Sequence, residues 1–125
     1  MAQNLSAPPH KKIGTAFYRA RNGREPVKDW LLNLRRGDRR TIGKDIQKIE
    51  FGWPIGMPYC RHLRQGCFEV RSNISDKRIA RVIFFIRNNE IVLLHGFVKK
   101  SQAMPASDLN LALRRKKEVQ RNDKE

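Results

Sequence analysis

A chain of 125 residues with 39% apolar content has room for one domain and a single modest core. Lys and Arg number 27 against 12 Asp and Glu, a net charge of +15 that exceeds what solubility needs and points to a polyanionic partner. No apolar run approaches the ~20 residues of a membrane span and the N-terminus lacks the apolar centre of a secretion signal, so a cytoplasmic protein with reduced Cys60 and Cys67 is expected.

Residues 1–12 are polar, contain Pro8-Pro9 and read as a flexible tail; 13–117 read as the single domain and 118–125 as a second flexible tail. Ile13 to Ala20 is expected to form a first strand. Glu25-Pro26 then opens a helix, with Pro at a first-turn position where its missing N–H costs nothing. Val27, Trp30, Leu31 and Leu34 recur at helical spacing and form one apolar stripe. Gly37 stops that helix, and Asp38 is the expected N-cap of a second, running to about Phe51 with Ile42, Ile46 and Ile49 on one side. The two stripes need a common surface, which a helical hairpin laid on one face of a sheet supplies. Arg35, Arg36, Arg39 and Arg40 crowd its tip, as a solvated end or a nucleic-acid contact. In the Pro- and Gly-rich loop that follows, Trp53 reads as a core anchor, with base stacking as the alternative. Arg61 and Arg64 stand at the entrance to the next strand.

Three runs rich in β-branched, aromatic and aliphatic residues come next: Cys67 to Arg71, Ile79 to Ile86 and Ile91 to Val98. Polar turns at 72–77 and Asn88-Asn89 separate them, which predicts an antiparallel meander. The later two runs are nearly continuous in apolar residues, so both faces of the sheet should be covered. Pro105 starts a last helix with Leu109, Ala112 and Leu113 on one side, followed by the basic run Arg114 to Lys117. The expected class is α+β: about four strands, an N-terminal helical hairpin on one face and a C-terminal helix.

No phosphate-binding glycine loop, HExxH, CxxC pair or GxSxG is present. Cys60, His62 and Cys67 match no common zinc spacing, and neither metal nor cofactor is called for. What remains is cations set into an apolar sheet, where they are costly unless paired or bound to an anion. RNA carries its own nucleophile, the 2′-OH, so a nuclease acting on it needs alignment, charge stabilisation and a proton path. Arg and Lys can provide the charge stabilisation without a metal. Strand alternation groups His95, Phe97 and Lys99 on one face as acid/base group, stacking platform and phosphate cation, opposite Gly96, Val98 and Lys100. Two or four residues in the Arg87 to Glu90 turn would put Arg81 with Gly96 and Lys100; a three-residue turn would put it with His95 and Phe97. The structural alternatives are a pairing of Arg71 with Glu69 or Asp76 and a hydrogen-bonded core role for His95.

GCFEVR, RIARVIFFI and IVLLHGFVKKSQ, followed by a Pro-initiated basic helix, resemble the RelE/ParE toxin superfamily and most closely its phage-derived, HigB-like branch. The likeness spans roughly residues 17–117. It implies the RelE-like fold and the toxin of a toxin–antitoxin pair: a metal-independent endoribonuclease acting on mRNA, commonly on the ribosome, that inhibits translation. Its implied partners are mRNA, the ribosome and a cognate antitoxin, expected to be a helix-turn-helix protein. Arg71, Arg81, Lys99 and Lys100 match the family's strand arginines and terminal lysines, and with His95 they are the candidate catalytic set. Arg61, Arg64, Phe97, Arg114 and Arg115 are the candidate RNA-binding residues. Relatives often carry an aromatic hydroxyl near Phe84, which leaves proton transfer here to His95, Lys99 or Lys100. Alternatives are a ParE-like inhibitor of DNA gyrase and a non-catalytic basic nucleic-acid-binding module.

Overall fold

The computed structural model describes residues 10–99 and 103–124. Strand β1 (Gly14–Phe17) leads into helices α1 (Pro26–Leu32) and α2 (Arg36–Gly52). Strands β2 (Arg61–His62), β3 (Phe68–Ile74), β4 (Arg78–Arg87) and β5 (Glu90–Val98) follow, and α3 (Ala106–Asn122) is the last element. The strands lie in the order β1-β5-β4-β3-β2. Thus the α+β class, the helical hairpin and the C-terminal helix are those expected, with two additions. The sheet has a fifth strand, the two-residue β2. In addition, β1 runs parallel to β5 while the other pairs are antiparallel. Two helices separate β1 from the other strands, so no tight turn dictates an antiparallel pairing.

The sheet is covered on both sides, as its apolar strands require. On one side Val27 of α1 and Ile42, Ile46 and Ile49 of α2 pack on Val70, Val82, Phe84, Ile91 and Leu93. Trp53 closes this core edge-on to Phe68, with ring centroids 5.2 Å apart, and so acts as the expected anchor. On the other side Ala112, Leu113 and Val119 of α3 pack on Ile83, Phe85, Val92 and Leu94, together with Tyr18. Val119 extends the stripe by two turns from Ala112, and α3 accordingly continues to Asn122 rather than ending near Lys117.

Asp38 does not cap its helix. Helix α2 already begins at Arg36, and Asp38 reaches out of its first turn to the β3–β4 turn. It accepts from the Ser75 backbone N–H (2.9 Å), the Ser75 hydroxyl (2.8 Å) and the Arg78 guanidinium (3.1 Å). The Ser75 hydrogen bonds, helped by the positive charge of Arg78, lower its pKa below the usual aspartate value. At the hairpin tip Arg39 donates to the Leu31 and Leu32 carbonyls at 3.5 and 3.3 Å. These are last-turn carbonyls of α1 that have no partner within the helix.

The join between β4 and β5 decides which side chains share a face. Asn88 and Asn89 both have positive φ, 49° and 59°, the geometry of a two-residue hairpin turn. Simple alternation from that turn would set Arg81 with Gly96. The register shifts between Ile83 and Phe84, however: Phe84 pairs with Leu93 and Ile83 with His95, leaving Leu94 as the extra residue of a β-bulge. Beyond the bulge Arg81 pairs with Phe97. A two-residue turn therefore produces the arrangement that alternation assigns to a three-residue one. Gly96 is turned to the hairpin side, where a Cβ would lie 2.4 Å from ring carbons of Trp30.

Candidate functional site

On the α3 side of the sheet, the register builds two rows across β3, β4 and β5. Glu69, Ile83 and His95 form one; Arg71, Arg81 and Phe97 form the next. Adjacent strands lie ~4.8 Å apart, so each row spans ~10 Å between its outer backbones. The edge strand β2 adds Arg61 directly opposite Glu69.

Glu69 is fully buried, and three guanidinium groups converge on it. Arg61 and Arg71 lie 3.4 and 3.6 Å from one carboxylate oxygen, and Arg81 lies 3.8 Å from the other. Arg81 is also buried completely and donates to the Ala103 carbonyl at 3.0 Å. Burial pulls its pKa down, Glu69 pushes it back up, and the charges of Arg71 and Arg61 lower it again. The expectation that Arg81 itself touches substrate is therefore revised. Its head group lies beneath the surface and joins β4 to Glu69 and to the segment before α3. By contrast, Arg61 and Arg71 remain about one-third exposed.

At the other end of the rows, His95 Nε2 lies 2.7 Å from a carboxylate oxygen of Asp108, in the first turn of α3. Lys99 approaches the second oxygen of Asp108 at 3.8 Å. The His95 ring stacks on Phe97, with centroids 5.3 Å apart and planes inclined by 21°. Phe97 is buried in the α3-side core, so it serves as a floor for the imidazole rather than an open platform for a base. His95, Phe97 and Lys99 do share a face, and that face is the one carrying Arg71.

Of the remaining candidates, Arg64 is exposed and reaches Asn110 of α3 at 3.5 Å, beside the same face. Arg114 is exposed. Arg115 donates to the Leu94 carbonyl at 2.8 Å and lies over the Tyr18 ring, 5.1 Å from its centroid. It thus braces the bulge that orients His95. Lys100 falls outside the described residues. Cys60 and Cys67 line different cores, where burial raises both thiol pKa values. Phe84 faces the hairpin-side core, stacked with Phe68 and turned away from the charged rows. A concavity of about 900 Å³ lined by residues including Tyr18, Arg21, Glu118 and Arg121 opens near the far end of α3. It lies ~20 Å along the helix axis from Asp108, judged from the rise per residue.

Two residues of this constellation were not singled out from the sequence as functional. Asp108 could have been flagged as an acidic residue three positions after a helix-initiating proline. Glu69 could have been flagged as the one acid in its strand, with Arg71 at the same-face position.

Comparison with known families matches residues 29–117 to the family described as "Phage derived protein Gp49-like (DUF891)". The chain belongs to this family. It is a RelE/HigB-type toxin-like family, which agrees with the fold and with the resemblance in the strand motifs. Among curated proteins none matches. No helix among the described residues is long and apolar enough to cross a membrane.

Proposed function

We propose that this Gp49-like protein is a HigB-like toxin that cleaves mRNA in the cytoplasm, on the ribosome, and is held inactive by a helix-turn-helix antitoxin. The observation that carries this reading is the joining of Arg61 and Arg71 with the Asp108-held His95 on one face of a rigid sheet. The substrate's 2′-OH attacks the adjacent phosphorus and the 5′-oxygen leaves. Arg61 and Arg71 stabilise the charge that builds on the phosphoryl oxygens, since guanidinium groups pair well with such oxygens. Lys99 binds a neighbouring phosphate. His95, oriented by Asp108 and by its stack on Phe97, takes the proton from the 2′-OH and gives one to the departing 5′-oxygen, leaving a 2′,3′-cyclic phosphate. Arg81 holds the frame from below, and the Phe84 position takes no part.

Inducing the chain without its antitoxin tests this, with RNA 5′ ends mapped while methionine and thymidine incorporation are followed. New ends within coding regions and an early fall in methionine incorporation are expected. Arg71→Ala should slow cleavage about a hundredfold, the loss of ~3 kcal/mol of transition-state stabilisation. A primary fall in thymidine incorporation with mRNA intact would replace this reading with gyrase inhibition. Salt-sensitive RNA binding without cleavage would leave a binding module.

A further inference from the structure

Glu69 stands in an unusual balance of charge. One carboxylate faces three guanidinium groups, and neither of its oxygens accepts a hydrogen bond from a described residue. Ion-pair separations of 3.4 to 3.8 Å are the only contacts among the described residues that compensate its burial. A carboxylate present only to neutralise the buried Arg81 needs no second or third cation. Nevertheless Arg61, from the two-residue edge strand, and Arg71, from the next same-face position of β3, both lean onto a single oxygen. Each of these two retains an exposed side. Three like charges this close repel one another, and the anion they share offsets that repulsion.

We infer that Glu69 is a positioning residue: it gathers Arg61, Arg71 and Arg81 into one guanidinium array whose outer side takes a single phosphodiester of RNA. This rests on the nuclease reading and names how its anion site is organised. The role requires the charge of Glu69 and also its reach. With the charge removed, the array keeps its cations and loses their common focus. With the side chain shortened by one methylene, the charge remains but is drawn back toward β3, away from Arg61. Glu69 itself touches no reacting atom. Its loss should therefore lower the rate at saturating RNA without weakening ground-state attraction, because the cations that attract the polyanion are still present.

The test compares wild type, Glu69→Gln and Glu69→Asp, the aspartate variant preserving a buried anion should the glutamine variant fail to fold. Cleavage is measured at saturating mRNA on programmed ribosomes, and affinity on a 20-nucleotide oligo(U) carrying 2′-deoxy sugars, which binds but cannot be cut. Arginine Nε–H resonances are followed during the same titration. In wild type, the signals of Arg61, Arg71 and Arg81 should shift together on binding. In both variants cleavage should fall tenfold or more, the Kd for the deoxy RNA should stay within about twofold or tighten, and the concerted shift should be lost. Variants that cleave at the wild-type rate overturn the inference, as does a parallel loss of affinity and rate. If wild type cuts no RNA, the nuclease reading fails alone; the array then stands or falls on whether the three resonances shift together in wild type and not in the variants.

Discussion

The two faces of the sheet are built from the same three strands and do opposite work. Toward the helical hairpin, β3, β4 and β5 present Val70, Val82, Phe84 and Leu93, and two helices cover them. Toward α3 the same strands present Ile83, Phe85 and Val92 in one region and Glu69, Arg71, Arg81 and His95 in the other. Helix α3 packs against this second face, contributing Asp108 at one end and Val119 at the other. The candidate chemistry thus occupies the part of a buried face where a helix supplies a carboxylate instead of apolar cover. The hairpin side carries none of the candidate groups in β3–β5.

Breaking the charged region from beneath should have the largest effect. Arg81→Ala leaves Glu69 buried with one cation fewer, and loss of one partner from a buried pair typically costs ~3–5 kcal/mol. Chemical denaturation should show that loss as a lower midpoint with an unchanged slope. A variant as stable as wild type would mean that Arg81 is not part of the frame. The hairpin face can be challenged at its closest approach. Gly96→Ala would push a methyl into the Trp30 ring and should destabilise by ~1–3 kcal/mol through overpacking. Thermal melting of this variant beside Gly14→Ala, where a Cβ meets nothing within 4 Å, separates the packing effect from the backbone effect of losing glycine.

The smallest expected effect concerns the charged tie between α2 and the β3–β4 turn. The folded-state pKa of Asp38 lies below its unfolded value, so its stabilisation is complete above the unfolded value and disappears as pH falls through the folded one. Asp38→Asn should therefore flatten the acid limb of a stability–pH profile while leaving the neutral-to-alkaline region parallel to wild type. An acid limb identical in the two proteins would show that Ser75 and Arg78 do not favour the ionised form.

Much of the hairpin face is legible in the chain because it depends on period. Val27, Ile42, Ile46 and Ile49 recur at helical spacing, and burial of one stripe per helix follows from that spacing alone. The strands are legible for the same reason, as is the need to cover both sides of β4 and β5. Asp38 is misread from sequence because a good capping residue near a glycine suits a helix start equally well two positions away. Its actual partners, Ser75 and Arg78, are distant in sequence. The backbone contact of Arg115 is not legible because a basic run near a helix end has the same composition whether it faces RNA or a backbone carbonyl.

The α+β class, the order of the helices and of the four longer strands, the apolar stripes and the excess of positive charge all follow from the chain alone, since each rests on local spacing or on composition. Which cations stand together was decided only in three dimensions. The bulge at Leu94 adds one residue to β5, and because side chains alternate with a period of two, that residue carries His95 and Phe97 to the face of Arg81. Nothing local distinguishes Leu94 from the leucine before it. Its carbonyl is held by Arg115, 21 residues later in the chain, and Gly96 beyond it makes room for Trp30, so the bulge exists only where both sides of the sheet are packed at once.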